Sequence, residues 1–169
     1  IKGIPEIFKN YSFNEKNLNY AYRPVVLTSF VLEYAVFGAN PHISHFFSLC
    51  LYILFSVMLF NFLRLLFQDM NILVILFVIL LFIVHPIHTE VVDNIKSRDE
   101  LLAAVFGLGM LLQYVKYSID KKIVRIFLCV AFFMLGYLTK QSIYYYVAVL
   151  PFLHALHFTI SEGLSIIEQ

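Results

Sequence analysis

The residues with the most chemical reach are crowded into positions 85–100. His85-Pro86-Ile87-His88-Thr89-Glu90 is followed at once by Asp93, Asn94, Lys96, Ser97, Arg98, Asp99 and Glu100. Carboxylates there can orient or deprotonate a hydroxyl, and an amine and a guanidinium can hold a phosphate oxygen. If the stretch after Pro86 is helical, steps of about 100° per residue put Glu90, Asp93, Asn94, Ser97 and Glu100 on one face, with Asp99 pointing the other way. Arg98 falls at the edge of that face, where its planar fork can pair with a carboxylate or grip a phosphate. A plainer reading stands beside this one: a solvated turn whose charges cap two apolar segments and pair among themselves.

Other groups belong to the same membrane level if the chain crosses a bilayer. His42 and His45 open one apolar run, and Lys140 follows another. Clustered charges at one bilayer face suit an anionic headgroup. No cofactor follows from these residues. The spacing of three in His42/His45 and His85/His88 leaves a divalent metal open, but Pro41 and Pro86 interrupt the local helices and no Cys accompanies them. His154 and His157 repeat the spacing, which shows how readily it recurs.

The elements that must position these groups are apolar. Apolar residues make up 61% of the 169 positions, charged residues only 14%, and Phe occurs 18 times. With a mean hydropathy of +0.83, the bilayer has to act as solvent for most of the chain. A net charge of +1 argues against a nucleic-acid partner. Cys50 and Cys129 lie in apolar runs and read as small hydrophobes, not as a disulfide framework.

Five transmembrane spans are predicted: Ile43 to Phe67; Ile72 to Val84, extended from Met70 through Ile87; Leu101 to Val115; Ile123 to Leu138; and Ile143 to Phe158. Gly107 and Gly109 should let a neighbouring helix approach closely, and Tyr144, Tyr145 and Tyr146 fall where an aromatic belt would sit. The mixed segment 1–42 reads as outer or interfacial, with Pro24 to Phe37 forming an amphipathic helix on the bilayer that Pro24 starts and Gly38 ends. Residues 43–160 form the bundle and 161–169 a truncated tail. Asn10-Tyr11-Ser12 fits a glycosylation acceptor, a pattern too short to carry weight. The expected fold is therefore all-α, a polytopic membrane helical bundle.

Arg64, at the end of the first span, and Lys116, Lys121, Lys122 and Arg125, around the turn between spans three and four, mark the cytoplasmic side. Residues 1–42, the 85–100 turn and Lys140 then face outward, to periplasm or lumen. The start at Ile1, with no Met and no leader, suggests a fragment whose beginning lies upstream.

The order Tyr22-Arg23-Pro24, Asn40-Pro41 with His42 and His45, His85-Pro86-Ile87-His88-Thr89-Glu90 and Lys96-Ser97-Arg98-Asp99-Glu100 resembles the membrane half of the transmembrane and tetratricopeptide-repeat O-mannosyltransferase-like proteins. Those proteins belong to the GT-C glycosyltransferases, and the bacterial members read most like this chain, from about Ile4 to Phe152. The His-Pro-x-His-x-Glu block with its trailing Arg-Asp is the specific part; Arg-Pro and Asn-Pro are weak alone. The sequence departs from the family at Thr139-Lys140-Gln141, where Ser-Lys-Glu is usual.

The resemblance implies a GT-C-like enzyme of a bacterial plasma membrane that moves a sugar, typically mannose, from a polyprenyl-phosphate carrier to a protein hydroxyl on the outer side. It places the catalytic acid in a loop before Ile1, so these residues alone are expected to be inactive, and it puts the helical repeats after this segment. Clustering and resemblance together nominate Lys96, Arg98 and Lys140 as donor-phosphate ligands, Glu90 and Asp93 as orienting or acceptor-binding carboxylates, and His88 as a hydrogen-bonding support. The partners expected are the lipid-linked sugar, a protein acceptor and the bilayer. A transporter or lipid-linked-sugar flippase is the alternative; transporters place ionisable groups near the midplane, whereas these spans are polar mainly at their ends.

Overall fold

A computed structural model describes residues 7 and 22–167, with side chains through residue 155. The polar residues before Tyr22, the Asn10-Tyr11-Ser12 pattern and the His157 side chain lie outside the described residues. Every regular element among those described is helical.

Helix α1 is Pro24–Phe37, as predicted. Proline supplies the first turn, and Gly38 closes the helix with a φ of 70° while its N–H donates to the Tyr34 carbonyl at 3.0 Å. Asn40 then caps α2, Pro41–Leu66, by accepting from the His42 N–H at 3.0 Å. The predicted boundary between residues 42 and 43 therefore falls inside a helix. At 26 residues α2 reaches about 39 Å, ample for a bilayer core of roughly 30 Å. Asn71 caps the shorter α3, Ile72–Ile83, through the Leu73 N–H at 2.9 Å.

The segment after Pro86 is not one helix. A 3-10 turn at Pro86–His88 leads into α4, Thr89–Asp93, and a second turn follows at Ile95–Ser97. Asn94 causes the break: its extended backbone stops α4, and its side chain accepts from the Lys96 N–H at 3.0 Å. The single face predicted from Glu90 to Glu100 therefore does not exist.

Helix α5, Arg98–Asp120, is the hub, packed against α2, against α6 (Ile123–Tyr137) and against α7 (Ile143–Ile167). Lys121 ends α5 in the left-handed region, its N–H on the Tyr117 carbonyl at 2.9 Å. The core gathers Phe62 with Leu108, Met110, Leu111 and Leu112, joined by Leu153 of α7. The small residues do what their spacing suggested. An added Cβ at Gly107 would collide with the Tyr146 ring, and one at Gly109 would sit 2.8 Å from Phe132. Cys50 and Cys129 are both free thiols.

Among the described residues, two helical stretches, Pro41–Leu66 and Ile95–Asp120, are long and apolar enough to cross a membrane; a third qualifies if Ile72–Ile83 and Pro86–Asp93, bent by 52°, form one broken span. These correspond to the first three of the five predicted spans. Helix α6 is apolar, but its 15 residues rise only about 22 Å, whereas α7 runs for 25 residues. The outer faces of α3 and α6 nonetheless expose Leu73, Phe77, Leu80, Phe127, Val130 and Met134. Such apolar surface is expected where lipid is the solvent, and the chain is an all-α membrane protein.

Candidate functional site

Charged groups from three separate segments meet at one end of the bundle, where α5 begins. Asp99 lies in the first turn of α5 and is buried, with only 5% of its side chain exposed. One of its oxygens pairs with Arg23, which precedes α1, and lies 3.2 Å from Lys140 Nζ, which follows α6. Its other oxygen accepts the Glu100 N–H at 2.8 Å. Lys140 in turn donates to Glu100 Oε1 at 2.5 Å, and Ser142 Oγ donates to Glu100 Oε2 at 3.3 Å. Acids suit this place on the helix, because the free N–H groups of a first turn favour negative charge. Lys140 and Arg23 are partly exposed, at 24% and 34%, so both cations can still reach an incoming anion.

Behind this cluster lies a second, closed one. Arg98 Nη2 is 2.6 Å from Glu33 Oε2, with both side chains 2% exposed. The same nitrogen donates to the Ser44 carbonyl at 3.1 Å, the Ser44 hydroxyl donates to the other Glu33 oxygen, and the guanidinium lies 4.0 Å over the Phe30 ring. The pair ties α1 and α2 to the start of α5.

A groove of about 490 Å³ opens beside Glu100. Tyr52, Phe82, His88, Tyr145 and Tyr146 supply aromatic walls, and Glu100 and Ser142 line it too. The Phe82 and His88 rings are 4.3 Å apart, and Tyr52 lies 5.7 Å from His88. Tyr52 is fixed by donating its hydroxyl to the Ile83 carbonyl at 3.1 Å, one of the groups that the end of α3 leaves without a helical partner.

The structure sorts the residues nominated from sequence. Lys140 joins the charge cluster and His88 the groove wall. Arg98, nominated for the donor phosphate, is instead enclosed against Glu33 with only 2% of its side chain exposed. Glu90, Asp93 and Lys96 are exposed on and just after α4, and their side chains make no ion pair among the described residues. Glu33, Arg23 and Asp99 were not nominated, although each carried a signal. Glu33 is the lone acid of an apolar helix, Arg23 precedes a helix-starting proline, and Asp99 occupies a favourable first turn. His42 and His45 do not join the cluster, and among the described residues no three His, Cys, Asp or Glu side chains are grouped to hold a metal.

The chain is similar to protein O-mannosyl-transferases. It is 33% identical over 103 residues to protein O-mannosyl-transferase TMTC3 of Mus musculus, an alignment covering 61% of this chain and 11% of that protein. With protein O-mannosyl-transferase TMTC2 of Homo sapiens the identity is 34% over 97 residues, 57% of this chain and 11% of the relative. Protein O-mannosyl-transferase F38B6.6 of Caenorhabditis elegans is 31% identical over 110 residues, 64% and 16% respectively. The chain thus spans about a tenth to a sixth of the length of these O-mannosyl-transferase relatives. No family model matches the chain, and no solved structure matches it.

Proposed function

We propose that this chain forms part of the membrane domain of a glycosyltransferase that moves a sugar, mannose by its relatives' names, from a polyprenyl-phosphate donor to a protein hydroxyl on the outer or lumenal side. The observation that carries the reading is Lys140, held between Asp99 and Glu100 with Arg23 on the far side of Asp99, at one end of an apolar bundle. Cleaving a glycosyl phosphate leaves negative charge on the departing phosphate, and preorganised cations at headgroup depth stabilise it. Two partly open cations from different segments, fixed by one buried acid, suit that task. Asp99 and Glu100 together balance them while the site is empty, and Asp99 sets their spacing.

Within this reading Lys140 and Arg23 meet the phosphate. Lys96, exposed nearby in sequence, extends the cationic surface, and Glu90 and Asp93 on α4 orient the acceptor. Arg98 contributes from behind, by fixing the start of α5 on which Asp99 and Glu100 sit. Residues 85–100 and Lys140 share one side of the membrane, and the end bearing Arg64, Lys121 and Arg125 faces the cytoplasm.

The test is sugar transfer by the gene's full-length product in liposomes, supplied with a polyprenyl-phosphate mannose and a serine- or threonine-bearing peptide. Lys140→Ala and Arg23→Ala should each lower transfer about tenfold or more. Wild-type turnover in both variants would overturn the proposal. Movement of the lipid-linked sugar across the bilayer without glycopeptide would favour a flippase instead.

A further inference from the structure

The groove beside Glu100 combines two chemistries that one kind of ligand matches. Its walls include the rings of Tyr52, Phe82, His88, Tyr145 and Tyr146 beside the smaller apolar groups Val91, Leu101 and Ala104, and Glu100 and Ser142 line it as polar groups. A hydrocarbon chain would use the rings but gain nothing from a carboxylate, a hydroxyl and an imidazole. An organic cation would use the rings, yet it would meet a carboxylate already neutralised by Lys140 at 2.5 Å. A neutral polyol fits both parts. The polarised C–H face of a pyranose lies well on the negative face of an aromatic ring, and its hydroxyls can donate to Glu100 Oε2, whose hydrogen bond from Ser142 is long at 3.3 Å. The volume of about 490 Å³ is in the range of small-molecule pockets.

We propose that this groove is a hexose subsite, with Tyr145 and Tyr52 as stacking walls and Glu100 and Ser142 as the hydroxyl-binding edge. The assignment rests on the glycosyl-transfer reading for the origin of the sugar. Lys140, bonded to Glu100, lies next to the groove, so a phosphate held there would present its sugar to the aromatic walls.

The inference is tested with probes that lack phosphate, on the full-length product in lipid nanodiscs. One probe is a short alkyl mannoside with a photoreactive diazirine on the sugar; the other is the same alkyl alcohol, sugar-free, with the diazirine at the chain end. The sugar-borne probe should label peptides containing Tyr52 or Tyr145 and be displaced by methyl mannoside. Tyr145→Ala, at a largely exposed position, should reduce that labelling about fivefold, and Tyr145→Phe should restore it. Groove labelling by the chain-borne probe that methyl mannoside does not displace, or no groove labelling by the sugar-borne probe, overturns the subsite. Two results separate this inference from the one before it. Displaceable labelling in a protein that transfers no sugar keeps the subsite and removes the transfer reading. Transfer with an unchanged donor KM in Tyr145→Ala keeps the transfer reading and removes the subsite.

Discussion

Arg98 and Glu33 meet 2.6 Å apart with neither side chain more than 2% exposed, which makes a charged pair a deeply buried tie between α1 and α5. Two charges taken out of water this completely are tolerated only together. Removing one leaves the other buried and unpaired, a loss of about 3–5 kcal/mol. Arg98→Ala and Glu33→Ala should each destabilise the folded protein by that order, read as a lowered midpoint of thermal unfolding in detergent. The double replacement Glu33→Leu with Arg98→Met should recover much of the loss, because apolar side chains of similar volume can replace a buried pair. Single variants that melt like the wild type would show that the pair is not closed to water.

Asp99 holds cations from two other segments, so its loss should alter the site more than the fold. Asp99→Asn keeps the size and the bond from the Glu100 N–H but removes the charge that fixes Arg23 and Lys140. Sugar transfer should fall about tenfold or more, mostly as a raised KM for the lipid-phosphate donor, because the cations lose their spacing. A variant that unfolds early with an unaltered donor KM would assign Asp99 a purely structural role.

These two acids also show where sequence reading reached and where it stopped. Helix α1 was legible to the residue because Pro24 and Gly38 carry their own backbone signals, and the long apolar runs announced α2 and α3. The break at Asn94 was not legible. Its cause is one side chain bonding two residues ahead, which a face-counting argument that assumes an unbroken helix cannot register. The start of α5 was set too late, at Leu101 instead of Arg98, because charged residues read as a turn. They belong to the helix because Glu33, Arg23 and Lys140, all distant in sequence, neutralise them there. Lys140 was found because it stands alone after an apolar run. Glu33 stands out as the lone acid of α1, but its partner 65 positions away is beyond any local pattern.

Gly107 makes a sharper packing prediction than any core leucine. An added methyl there runs into the Tyr146 ring, part of the groove wall. Gly107→Ala should cost about 1–3 kcal/mol as α7 is pushed from α5. It should also weaken sugar transfer beyond what the stability loss explains, since Tyr146 must move. Gly109→Ala meets Phe132 at 2.8 Å, away from the groove, so it should destabilise comparably with little effect on donor KM. Thermal unfolding alongside transfer kinetics for both variants separates the two effects, and equal kinetics would detach the groove from catalysis.

Lys96 and Lys121 bracket α5, whose 23 residues at about 1.5 Å each span roughly 34 Å. The stretch Ile95–Asp120 is apolar enough to cross a bilayer, and the charged groups around Asp99 and around Asp120 lie at its two ends. A crossing helix must put those ends in different compartments. After replacement of the native Cys50 and Cys129, Lys96→Cys should react with a membrane-impermeant maleimide from outside intact cells. Lys121→Cys should react only after the membrane is opened. Labelling of both from the same side would remove α5 as a span. Arg23, Asp99, Glu100 and Lys140 would then lose the shared headgroup level on which the phosphate chemistry depends.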